Sequence, residues 1–131
     1  MKFWLAGAEF ETTITLRRWS PRIDYRTRLT PVGKNIRIRV AFAAMVRDGK
    51  RYDEIPMGIQ VNRQGEHAVQ NWLAWCGATE GLALINRGTP AANVHDGVLM
   101  QTLLRSVAME YKTPSQGSYN LGVPHTFEYA V

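Results

Sequence analysis

Between Phe10 and Phe42 apolar and polar residues alternate in three successive runs, and this period of two restricts the segment to strands with one buried face. In the first run Phe10, Thr12, Ile14 and Leu16 share one face, and Glu11, Thr13, Thr15 and Arg17 share the other. Ser20-Pro21 ends it, because proline brings no amide donor to a ladder. In the second, Ile23, Tyr25, Thr27 and Leu29 alternate with Arg22, Asp24, Arg26 and Arg28. After Thr30-Pro31-Val32-Gly33-Lys34, the third run sets Ile36, Ile38, Val40 and Phe42 against Asn35, Arg37, Arg39 and Ala41. The second and third runs together predict a hairpin. Arg47-Asp48-Gly49-Lys50 predicts a turn, with Asp-Gly supplying the positive φ that such turns need.

Further on, the run from Tyr52 to Val61 is interrupted by Pro56 and Gly58, which predicts an edge strand or a bulge in place of a central strand. Ala68 to Cys76, with Val69, Trp72, Leu73 and Trp75, fits either a buried strand or a short helix. Gly81 to Asn86 reads as a strand, Val98 to Leu104 as another after the Asp96-Gly97 turn, Met109 to Val123 as a loop, and Thr126 to Val131 as a last strand. Roughly eight short strands at spacings of about ten residues, with no amphipathic helix, predict an all-β antiparallel β-sandwich. Residues 1–131 read as a single domain.

A chain of 131 residues buries roughly two thirds of the surface its unfolded form exposes, enough for a core without metals or disulfides. The single cysteine, Cys76, excludes an internal disulfide framework and a Cys-x-x-Cys zinc site. It reads as a small buried hydrophobe, and it points to a reducing, cytoplasmic compartment. No stretch approaches the ~20 apolar residues of a membrane span. The apolar opening to Phe10 is followed by Glu11 and lacks a small-residue cleavage site, so it does not read as a secretory signal.

Catalytic patterns are weak. Asp53 and Glu54 are adjacent, so a strand turns them to opposite faces, and Asp96 belongs to a turn; neither makes the carboxyl pair that glycoside hydrolysis requires. His67, His95 and His125 lie about thirty residues apart without a local metal-binding spacing. No Gly-x-Ser-x-Gly elbow and no glycine-rich phosphate loop occurs. The expectation is therefore no catalytic residue and no metal ligand in this chain.

Charge is distributed unevenly. Residues 17–51 hold eleven of the 16 basic residues and only Asp24 and Asp48 as acids, or +9; with +5 overall, the remainder carries −4. A cationic face of Arg22, Arg26, Arg28, Arg37 and Arg39 could track phosphates. Tyr25, however, falls on the inward face by alternation, so no aromatic interleaves with it. The favoured reading is a solvated or domain-facing surface whose guanidinium groups pair with acids.

Several blocks in the second half carry a resemblance: Gly81-Leu-Ala-Leu-Ile-Asn-Arg-Gly88, Asp96-Gly-Val-Leu-Met-Gln-Thr-Leu-Leu-Arg-Ser106, Gly117-Ser-Tyr-Asn-Leu-Gly122 and His125-Thr-Phe-Glu-Tyr-Ala130. The first half adds Ser20-Pro-Arg-Ile-Asp-Tyr25, Asn35-Ile-Arg-Ile-Arg-Val-Ala-Phe42, Tyr52-Asp-Glu-Ile-Pro-Met-Gly58 and Val69-Gln-Asn-Trp72. In this order the blocks resemble the C-terminal β region of glycoside hydrolase family 38, the α-mannosidases. The resemblance implies part of a mutarotase-like supersandwich, and a chain that is a fragment of a longer glycosidase. It also implies a separate catalytic α/β domain, absent here, that holds the zinc ion, the aspartate nucleophile and the acid catalyst. In that family the β region lends an arginine to the sugar site. The matching position is Arg105, although Arg105-Ser106 stands where relatives carry two adjacent arginines.

The implied partners are carbohydrate and a catalytic domain, and sheet edges left open predict self-association. An alternative is a free-standing carbohydrate-binding sandwich using Arg105 with Trp4 or Trp19. Nucleic-acid binding through residues 17–51 ranks below both.

Overall fold

The computed structural model describes residues 1–5, 7–33, 36–106 and 122–131. Among them every regular element is a strand: β1 (Lys2–Leu5), β2 (Ala8–Leu16), β3 (Ile23–Thr30), β4 (Ile36–Ala43), β5 (Lys50–Ile55), β6 (Gly58–Asn62), β7 (Gly65–Ala68), β8 (Trp72–Cys76), β9 (Gly81–Asn86), β10 (Ala91–His95), β11 (Val98–Ser106) and β12 (His125–Ala130). They form two antiparallel sheets, one of eight strands in the order β1-β2-β3-β12-β9-β8-β5-β6 and one of four in the order β4-β11-β10-β7. The fold is an all-β sandwich. None of the described elements is a helix long and apolar enough to cross a membrane. By contact density the chain divides into two compact units, residues 1–38 with 103–128 and residues 39–102 with 129–131.

The first unit is built on the β2–β3 hairpin, in register from Glu9↔Thr30 to Leu16↔Ile23. Its core sets Ala8, Phe10 and Leu29 against Ile38, Leu104 and Phe127, so residues of both sheets meet in it. Thr12 and Thr27 face one another across the strands and share a buried hydroxyl–hydroxyl bond of 3.0 Å. The amino terminus is tied down by an ammonium bond of 2.8 Å to the Thr12 carbonyl. On β1, Lys2 pairs with Glu9, whose bond and charge hold the lysine above its ordinary pKa.

The second unit packs Leu73, Trp75 and Leu84 of β8 and β9 against Ala92, Val94 and Leu99 of β10 and β11, with Val69. Phe42 meets Tyr129 edge to face at 6.1 Å. The Trp75 indole donates to the Val46 carbonyl at 3.2 Å, so this large ring fills the core with its polar atom satisfied. The β10–β11 turn has positive φ at both Asp96 (47°) and Gly97 (72°), with His95 opposite Val98, as a two-residue type I′ hairpin requires. Asp48 also has positive φ, at 49°, where the Arg47–Lys50 turn was expected.

Several expectations need correction. The predicted hairpin between the second and third runs does not exist: β3 pairs with β2 and neighbours β12, whereas β4 lies in the other sheet beside β11. Five residues separate the two strands, a length that serves a hairpin or a change of sheet equally, so the pairing is decided by partners distant in sequence and not by the loop. The first run buries only its early half. Phe10 and Thr12 are inside, but Ile14 (50%) and Leu16 (73%) are exposed. The interrupted run from Tyr52 is a hairpin, with Pro56 and Met57 as its two-residue turn and Ile55 opposite Gly58. Of its strands β6 lies at the sheet edge, and β5 is interior. Of the run from Ala68 to Cys76, Ala68 ends β7 and Trp72–Cys76 forms strand β8, which leaves Cys76 half-buried, not deep in the core. The loop expected over Met109 to Val123 lies outside the described residues except for Gly122 and Val123.

Candidate functional site

On the first unit the outward faces of β2, β3 and β12 form a polar concavity of about 250 Å³ lined by Glu11, Thr13, Arg26, Arg28 and Thr126. Alternation places them together. Arg26 and Arg28 are two positions apart on β3, directly across from Thr13 and Glu11, while Thr27 between them points inward and is buried. Arg26 Nε stands 4.0 Å from Glu128 of β12. The surface offers two guanidinium forks, a carboxylate and two hydroxyls. That set hydrogen-bonds hydroxylated or acidic ligands.

Several arginines of the basic stripe pair with acids of the same chain. Asp24 accepts from Arg17 and, at 2.6 Å, from Arg22. Arg39 donates to Glu66 at 2.7 Å and to the Thr102 hydroxyl at 3.2 Å. Arg51, counted in the stripe, is wholly buried and paired with Asp53. The proposed single face of Arg22, Arg26, Arg28, Arg37 and Arg39 is therefore divided, since β3 and β4 belong to different sheets.

Asp53 is occupied as well. Arg51 Nε donates to one carboxylate oxygen at 2.7 Å and Asn62 Nδ2 to the other at 2.6 Å, while Arg51 Nη1 reaches the Gly65 carbonyl. Glu54, on the opposite face, accepts the Asn71 amide at 2.9 Å. The two adjacent acids thus have separate structural duties. Asp96 lies in its turn, 3.4 Å from His95 Nε2. His67 lies on β7, His95 ends β10 and His125 opens β12. Among the described residues no group of three His, Cys, Asp or Glu side chains could hold a metal ion.

Arg105 is exposed on β11, two residues beyond the buried Leu103, and is not among the residues lining the concavity. Trp19 is 89% exposed in the β2–β3 turn, held at a positive φ of 66°, with the Arg18 guanidinium 4.9 Å over its ring. Trp4 belongs to β1. The concavity was not visible in the sequence as a unit. Alternation gives the outward faces of β2 and β3, but their pairing was not predicted, and Thr126 joins from a strand about a hundred residues later.

No protein-family model matches the sequence, and no curated protein matches it. Solved structures do. A glycosyl hydrolase family 38 protein from Enterococcus faecalis superposes with a TM-score of 0.80 at 19% identity, over 94% of this chain. The fold is that of a segment of this family 38 protein. An α-mannosidase from Enterococcus faecalis V583 gives a TM-score of 0.78, also at 19% identity and 94% coverage. The chain spans only 16% and 15% of the length of these two structures.

Proposed function

We propose that this chain is the C-terminal β-sandwich portion of an α-mannosidase-like glycoside hydrolase, and that it acts as a scaffold for a catalytic domain outside these residues. Its main support is the extent of the fold likeness, which takes in nearly all of this chain and a small part of each longer neighbour. The ordered sequence blocks support it independently. In this reading residues 1–131 are one domain of a larger supersandwich, the zinc ion and both catalytic carboxyl groups belong to the catalytic domain, and the enzyme works in a reducing, cytoplasmic compartment. Arg105 reaches the sugar site from β11, where its fork of donors holds vicinal hydroxyls. Open sheet edges give the isolated chain a tendency to self-associate.

Incubation of the purified chain with an aryl α-mannoside and zinc tests the non-catalytic role. No release of the aryl group is expected. Reproducible turnover that co-purifies with the chain would overturn it. Titration with mannose oligosaccharides tests the alternative of a free-standing sugar-binding sandwich, for which saturable binding lost in Arg105→Ala is the positive result.

A further inference from the structure

Among the described residues, the four strands that bound the two sheets are β1 and β6 in one and β4 and β7 in the other. Three of them carry charge: Lys2 on β1, Arg37 and Arg39 on β4, Glu66 on β7. Charged side chains on an edge are a common device against unwanted pairing. Strand β6, Gly58-Ile59-Gln60-Val61-Asn62, has none, and it has no proline and no bulge in its register with β5. Its apolar side chains are turned to solvent, with Ile59 63% and Val61 61% exposed, and the turn beside it presents Met57 fully exposed at a positive φ of 64°.

The hairpin geometry fixes which backbone groups this edge offers. Ile55 and Gly58 close a two-residue turn and so form a hydrogen-bonded pair; alternation then makes Asp53↔Gln60 and Arg51↔Asn62 hydrogen-bonded too. The amide and carbonyl groups of Gly58, Gln60 and Asn62 therefore point to β5, and those of Ile59 and Val61 point away from it. We propose that β6 pairs with β6 of a second copy of this chain, antiparallel and centred on Gln60.

That register is self-complementary. Ile59 of each copy exchanges both backbone bonds with Val61 of the other, and the two β-branched side chains stand opposite one another on the same face. Gln60 faces Gln60 as a non-hydrogen-bonded pair, and Gly58 faces Asn62, so no like charges meet. A partner strand of either sign of charge gains nothing from an edge without charge of its own, whereas an identical strand matches it position by position.

The pairing rests on the self-association proposed above, and its test separates the two. Sedimentation velocity of the full chain over a concentration series is expected to show a dimer. Gln60→Lys places two ammonium groups face to face at the two-fold axis and is expected to return the chain to monomer with an unchanged far-UV spectrum. Gln60→Cys is expected to give a disulfide-linked dimer on mild oxidation that the unmodified chain, with Cys76 alone, does not give. A wild-type chain that stays monomeric throughout removes both the pairing and the self-association. A dimer that survives Gln60→Lys and shows no cross-link through position 60 overturns this interface while leaving self-association standing.

Discussion

Arg51 and Asp53, two positions apart on β5, form an ion pair of 2.7 Å in which neither side chain has any exposure to solvent. A buried pair of this kind adds little over a well-packed apolar pair, but breaking one leaves a charge stranded in a medium that solvates it poorly. Asn62 and the Gly65 carbonyl share the remaining capacity, which ties β5 to β6 and to the start of β7. Among the described residues Arg51 Nη2 meets no acceptor.

Removing one member is therefore the damaging change. Asp53→Ala or Arg51→Met is expected to cost about 3–5 kcal/mol, and the double variant less than the sum of the two. Urea unfolding of the four proteins in the cycle measures this. Additive losses would show that the two side chains are not coupled.

The Thr12–Thr27 hydroxyl pair makes a gentler version of the same prediction, because both groups are neutral and buried. Thr12→Val breaks this bond to the Thr27 hydroxyl and is expected to destabilise by about 1–3 kcal/mol. Adding Thr27→Val removes both hydroxyls, and because the two share a bond the double variant is expected to lose less than the sum of the single losses. Midpoints of thermal unfolding decide this.

Gly49 is required for a steric reason, not for a left-handed backbone. A Cβ at this position would stand 2.8 Å from Cδ1 of the Trp75 ring and closer still to its neighbouring atoms. Since that ring is buried and hydrogen-bonded, Gly49→Ala is expected to cost about 1–3 kcal/mol by overpacking and to shift tryptophan fluorescence. Gly88, at φ +80° with open space around it, is the control. There alanine meets only the backbone penalty of roughly 1–2 kcal/mol, and the emission spectrum is expected to stay unchanged.

Nucleic-acid binding through residues 17–51 can be set against the ion pairs that occupy several of its arginines. Tracking five phosphates would give log affinity against log salt a slope of roughly −4.5. Retention on duplex DNA is expected to be weak and to lack any such dependence. A steep slope, lost in Arg26→Ala with Arg28→Ala, would restore that reading.

Much of the fold was legible because one face of each long strand is buried. The inward set Tyr25, Thr27 and Leu29 and the outward set Arg26 and Arg28 follow directly from alternation on β3. The Asp-Gly turns were legible for a local reason, since Asp and Gly are among the few residues at ease with positive φ. What escaped depends on partners distant in sequence. Period two gives a strand its faces but not its neighbours, so nothing in residues 23–42 reveals that β3 and β4 lie in different sheets. The short strands β1, β7 and β10 carry too few residues for a pattern. Arg51 reads as surface charge until Asp53, Asn62 and Gly65 are seen around it. The concavity on the first unit needed β12 beside β3, a pairing that spans most of the chain.

The DNA on both sides of the reading frame tests the central claim most directly. Sequencing it is expected to reveal, upstream in the same or an adjoining frame, a catalytic α/β domain of family 38 type. Complete, unrelated genes on both sides would contradict the claim that this sandwich serves such an enzyme.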